Sequence, residues 1–186
     1  VRYDLGESQP LKDESPEEHA AFLAEFKQLT LEGLYGFPLW EAEVHDLLHA
    51  NFRELASIFR GYCKSLGESS TSDEAKTMDI EEFHDFVIDV GLETKLQTMK
   101  GAEPAVYTFE QMKEQFTRAD KSGKGMAGPA ANHELVLYEF LNMLVRIAFW
   151  RANPTFGNWI DKDGDGKKDK YPTKMRPSLI RRSKYV

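Results

Sequence analysis

The chain has one cysteine, Cys63, among its 186 residues. No intrachain disulfide is open to it, and a reducing, cytoplasmic setting is expected. No apolar run approaches the ~18–20 residues that a helical membrane span needs, so no membrane span is expected. The sequence also has no Gly-rich phosphate loop and no Gly-x-Ser-x-Gly elbow. No set of nucleophile, base and electrophile can be named from it. The expectation is therefore a protein that is not an enzyme and takes no small-molecule substrate.

Apolar residues make up 41% of the chain and charged residues 30%, close to an ordinary globular composition, which argues against disorder throughout. The net charge of −7 is unevenly spread. Positions 162–186 carry nine Lys/Arg against three Asp, a balance of +6, while the rest of the chain has 15 basic and 28 acidic groups, a balance of −13. A basic tail on an acidic body suits a partner with an acidic surface. A protein partner or filament is favoured over nucleic acid, whose phosphates the body would repel.

Four regions follow from the pattern along the chain. Residues 1–16 are polar, contain Pro10 and Pro16, and read as an extended arm. Residues 17–39 hold an N-terminal helix and a turn. Ser15 is its cap, Pro16 its first position, and Glu17 and Glu18 lie where negative charge suits the helix dipole. Residues 40–150 contain four amphipathic helices, expected at about 40–62, 79–90, 108–119 and 134–150. The 40–62 stripe is Trp40, Val44, Leu47, Leu48, Phe52, Leu55, Phe59 and Tyr62. A linker with Gly101 and Pro104 separates the second and third of these helices. Residues 151–186 form the basic, mostly irregular tail. The opening and closing segments lack apolar periodicity, so an external surface is expected to order them.

The most informative feature is an internal repeat. Shifting the chain by 57 positions aligns 52–90 with 109–147 without a gap. Phe52 then meets Phe109, Phe59 meets Phe116, Lys64-Ser65 meets Lys121-Ser122, and Glu82-Phe83 meets Glu139-Phe140. Apolar positions coincide as well: Leu55 with Met112, Met78 with Leu135, Ile80 with Leu137, Phe86 with Met143, Val87 with Leu144.

Each unit resembles an EF-hand, the helix–loop–helix of calmodulin and centrin. The resemblance rests on Leu55, Phe59 and Tyr62 before the first loop, and on Met112, Phe116 and Ala119 before the second. On the exit side it rests on Glu82-Phe83 with Phe86 and Val87, and on Glu139-Phe140 with Met143 and Leu144. It implies an all-α fold, an EF-hand-like pair of helix–loop–helix units with an N-terminal helical extension and irregular arms at both ends. Phe52, Leu55, Phe59, Phe83, Phe86, Met112, Phe116, Phe140, Met143 and Leu144 are its expected centre. The loops depart from the family. They run over 20 positions, Cys63 to Glu82 and Asp120 to Glu139, where the calcium loop has 12. Their first, third and fifth positions are Cys63, Ser65 and Gly67, then Asp120, Ser122 and Lys124. Both read as degenerate scaffolds rather than metal sites.

A third stretch, Asp161-Lys162-Asp163-Gly164-Asp165-Gly166-Lys167-Lys168-Asp169, matches the ligand half of the family's loop. Position eight, which should be apolar to pair with a sister loop, is Lys168, and position 12, which should be Glu, is Pro172. The ligand set it implies is Asp161, Asp163 and Asp165, the Lys167 carbonyl, and Asp169. One weak Ca²⁺ is the only cofactor expected, at about 10⁻⁴–10⁻³ M.

His45 and His49 sit one helical turn apart, as a zinc site would require, but no third ligand is evident and they read as ordinary surface or core histidines. Cys63 reads as an inert thiol. The Ser/Thr-rich 68–74 stretch could accept phosphate, though a polar loop usually has this composition. Two functions remain in view. One is a non-enzymatic binding or scaffold protein, a structural or adaptor component of a cytoskeletal or ciliary assembly. The other is a calcium-binding regulatory protein acting through 161–169.

Overall fold

Ser15 ends the opening segment and starts helix α1 (Pro16–Phe26). In the computed structural model, which describes residues 2–63, 77–93, 95–96, 105–122 and 133–153, the Ser15 hydroxyl accepts from the Glu18 backbone N–H at 3.2 Å. Glu18 Oε2 in return accepts from the Ser15 N–H at 2.9 Å. This reciprocal pair satisfies donors that the first helical turn leaves free, and Pro16 has no N–H to leave unpaired. The described residues are mostly helical, with α2 (Glu41–Tyr62), α3 (Ile80–Val90), α4 (Phe109–Ser122) and α5 (Leu137–Ala152) following α1.

The phase of α2 differs from the expected stripe. Leu47 is 66% exposed, whereas Glu41, His45, Leu48, His49, Ala56 and Phe59 are buried. The first half of α2 thus turns two imidazoles inward, against His19, Phe22 and Phe26 of α1. Helix α3 starts at a complete capping box, Asp79 with Glu82, and stops at Gly91, whose φ of +65° suits a residue without a Cβ. Its Ile88 and Val90 face solvent. Helix α4 runs three residues beyond the expected end, so Asp120 lies in its last turn rather than at the first position of a loop.

The segment read as a plain linker holds two two-residue strands, β1 (Lys95–Leu96) and β2 (Ala105–Val106), paired antiparallel. Runs this short are too brief for apolar alternation to mark them.

Helix α5 is buried around most of its circumference: Glu139, Phe140, Leu141, Asn142, Met143, Arg146, Ile147 and Phe149 are all inside. It packs against α1, α2 and α4, as a helix apolar on several faces must. The Arg146 guanidinium donates to Asn142 Oδ1 at 3.2 Å, the Thr30 carbonyl at 2.7 Å and the Glu32 carbonyl at 3.2 Å, pinning the turn after α1 to α5. Leu31, Leu34 and Phe149 close a small apolar cluster beside it.

The main core joins all five helices and contains seven of the ten expected central residues fully inside: Phe59, Phe83, Phe86, Met112, Phe116, Phe140 and Met143. Phe52, Leu55 and Leu144 pack on its margin. The aromatic contacts cross between the repeats. Phe59 meets Phe140 at 5.3 Å between ring centroids, and Phe83 meets Phe116 at 5.5 Å. Under the 57-residue shift these two contacts are equivalents of one another.

The opening segment corrects an expectation. Residues 2–15 are held by the chain's own body, not by an external surface. Glu41, only 3% exposed, accepts from Arg2 Nε at 2.7 Å and from the Tyr3 N–H at 2.8 Å. A single 3-10 turn (Leu5–Glu7) follows, and Ser8 is buried against α1 and α2. These polar bonds act together with Tyr3 and Leu5, which pack on the core, Tyr3 against His45; two apolar side chains are too few to set up a periodicity.

Candidate functional site

Two constellations stand out. The first lies where the two repeat units touch. Met78 and Leu135, both fully buried, exchange backbone N–H···O bonds of 2.8 Å in each direction, an isolated antiparallel bridge. Beside it the Thr77 hydroxyl donates to Glu134 Oε2 at 2.8 Å, again between residues 57 apart. Four residues beyond the bridge, Glu82 Oε2 accepts from the Asp79 N–H at 2.9 Å, and Glu139 Oε2 accepts from the Val136 N–H at 3.1 Å. Asp79 returns the favour through its own side chain, but Val136 has no acceptor, so the second helix start carries only half of the box.

Glu139 is 7% exposed, and its pKa is pushed up to about 6. Burial is the main cause and the nearby Asp120 charge adds to it, against the bonds from Val136 and Tyr138. Asp120 is itself buried, and its Oδ2 has no hydrogen-bond partner among the described residues.

The second constellation lies between α1, α2 and the opening segment. His19, His45 and His49, three of the five histidines in the sequence, meet here and are all buried. The His49 Nε2–H donates to Glu14 Oε2 at 2.8 Å. Burial alone would raise the Glu14 pKa, but the Leu11 N–H, the His49 bond and the neighbouring imidazoles outweigh it and hold this carboxyl below its usual range. Ser8 Oγ lies 3.0 Å from both His19 Nε2 and His45 Nε2, while His45 Nδ1 is 2.9 Å from Asp46 Oδ1. Aromatic faces wall the cluster: Phe22 stacks on His49 at 4.4 Å and 4°, and His19 stacks on His49 at 5.0 Å. Glu14, His19 and His49 bring one ligand atom each to within 4.8 Å of one another. An open groove of about 600 Å³ runs past Glu14 and His49, bordered by Glu18, Phe52, Arg53 and Asn51.

Ser8, His45 and Asp46 stand in the order of an acyl-transfer relay. Ser8 Oγ is, however, buried and shared between two imidazoles, which does not aim it at a substrate.

His45 and His49 were the two histidines singled out by spacing, and the structure separates them. His49 joins Glu14 and His19, whereas His45 turns to Ser8 and Asp46. Glu14 and His19 come from different elements and carry no local motif. The only signal for His19 in the sequence is the histidine content of α1 and α2, and Glu14 has none. Cys63 is buried. Asp161, Asp163, Asp165, Lys167 and Asp169, the 68–74 stretch and the basic tail lie outside the described residues. Among the described residues no helix is long and apolar enough to cross a membrane.

Compared with protein-family models, with curated proteins and with solved structures, the chain matches none.

Proposed function

We propose that this chain is a non-enzymatic binding or scaffold protein built on an EF-hand-like pair, serving as a structural or adaptor component of a cytoskeletal or ciliary assembly. The observation that supports the pair is the Met78–Leu135 bridge. Counting back from Glu82 and Glu139 as the twelfth loop position, Met78 and Leu135 both fall at the eighth, where sister loops of that family join. The lengthened loops favour a scaffold over a sensor, since a ligand-bearing loop must return its last carboxylate in register. The basic tail supplies charge for an acidic filament.

Cosedimentation of the full chain with polymerised tubulin at rising salt tests this. Pelleting that weakens with salt, and weakens further on deletion of 173–186, supports the reading. Pelleting that ignores both salt and the deletion, or none at low salt, overturns the filament assignment.

The second reading is a calcium-binding regulatory protein acting through 161–169. The alternation of Asp161, Asp163 and Asp165 before Gly166 is what favours it. A calcium-dependent change in helicity or in exposed apolar surface would choose it over the scaffold.

A further inference from the structure

We propose that Glu14, His19 and His49 form a binding site for a divalent transition metal of the zinc type, with one coordination position open to the neighbouring groove. The inference is independent of the paired-loop reading, because it rests on α1, α2 and the segment before them.

The donor set chooses the metal class. Two imidazoles and one carboxylate suit zinc and its first-row neighbours, whereas calcium and magnesium prefer all-oxygen sites. The residues also come from three separate places. Glu14 lies just before the α1 cap, His19 in the first turns of α1, and His49 midway along α2. His19 and His49 are buried and Glu14 is partly so, and the wall around the two imidazoles is largely aromatic, so a cation bound here would sit in a place where water competes little for it.

The spacing is near that of a ligated site. A tetrahedral zinc with ligands at ~2.0–2.1 Å places them about 3.4 Å apart. Glu14 Oε2 and His49 Nε2 are now 2.8 Å apart, with a proton between them, and the three ligand atoms all lie within 4.8 Å of one another. A metal entering here replaces that shared proton, spreads Glu14 from His49, and draws the three donors onto one centre by side-chain rotation.

The surroundings fit as well. Ligating imidazoles are usually steadied by a hydrogen bond at the ring's other side. Ser8 Oγ lies 3.0 Å from His19 and is itself held by His45, which Asp46 orients. Three protein donors leave a fourth position, and Glu14 and His49 both line the groove through which water or a small ligand would reach it.

Titration of Co²⁺ into the full chain tests the site, read by the visible absorption of four- or five-coordinate cobalt, with Zn²⁺ calorimetry in parallel. One equivalent should bind. Glu14→Gln and His19→Gln should each weaken binding by at least about 100-fold, and Ser8→Ala by about 10-fold. His84→Gln, on an exposed histidine, and the Asp161→Ala, Asp163→Ala pair should leave the cobalt band unchanged. Glu14 lies in a turn, so Glu14→Gln should retain the wild-type far-UV spectrum. On the unaltered chain, Zn²⁺ should shift the ring nitrogens of His19 and His49 and leave those of His84 and His133 in place. Absence of a cobalt band, a band that survives Glu14→Gln, or unmoved His19 and His49 ring nitrogens would overturn the proposal. The cluster would then be a polar clasp that docks the opening segment.

Discussion

The carboxylates of Glu139 and Asp120, one at the start of α5 and one in the last turn of α4, face each other inside the protein closely enough for their charges to oppose. Burial and this repulsion place Glu139 at about 6, above the ordinary 4.5. A raised carboxyl stabilises the fold in its protonated form. That contribution is complete below 4.5 and is lost as the pH rises through 6. At 1.36 kcal/mol per unit, the loss is at most about 2 kcal/mol. Glu139→Gln keeps an acceptor for the Val136 N–H and removes the titration. Urea unfolding should find the variant more stable than the parent at pH 7.5 and equal to it near pH 4.5. A difference that does not change between these pH values would contradict the assignment.

Phe140 sits between Phe59 and Phe86, and Phe83 between Phe86 and Phe116, with no exposure of either Phe83 or Phe140. Phe83→Ala and Phe140→Ala should each cost about 3–5 kcal/mol in chemical denaturation. Ile88→Ala, on an exposed side chain of α3, should change stability by less than about 0.5 kcal/mol. Equal costs at buried and exposed sites would remove the cross-unit core.

Glu41 is the anchor of the opening segment, through Arg2 and the Tyr3 N–H. Glu41→Ala leaves those donors without their acceptor and should loosen residues 2–13 while α2 stays folded. Trypsin cleavage after Lys12, an exposed position, should accelerate several-fold in the variant. An unchanged cleavage rate would mean that Ser8 and Glu14 hold the segment without help.

Calcium titration of the full chain should give one weak event, about 10⁻⁴–10⁻³ M, that disappears in the Asp161→Ala, Asp163→Ala pair. If binding survives, the cation lies elsewhere in the chain, and the buried Asp120 of α4 and Glu139 of α5 become its first candidates.

The helices were legible because apolar side chains recur at helical spacing, and the repeat was legible because Met78 and Leu135, or Phe83 and Phe140, occupy equivalent phases. The inward face of early α2 was not. His45 and His49 are no part of the expected apolar stripe, yet an imidazole packed against Phe22 or Phe26 buries as an aromatic ring does, and Leu47 is left outside. The opening segment escaped because its hold on the body is Glu41, a single carboxylate on a distant helix, together with only two core-packed side chains, Tyr3 and Leu5. The Glu14–His19–His49 cluster escaped because its members meet only once α1 folds against α2. No spacing along the chain encodes that crossing.

The exchange of aromatic contacts between units, Phe59 to Phe140 and Phe116 to Phe83, has a consequence for how this architecture can vary. Arrays of stacked repeats lengthen or shorten by one member because each presents the same face to the next. Here α2 packs on α3 and α4 on α5 within each unit, yet Phe59 and Phe116 reach across to Phe140 and Phe83, so a lone half would expose the rings it lends to the other. The same reciprocity gives the chain a second way to satisfy those rings. Two copies that traded halves would remake the Phe59–Phe140 and Phe83–Phe116 contacts between chains, the arrangement of a domain-swapped dimer.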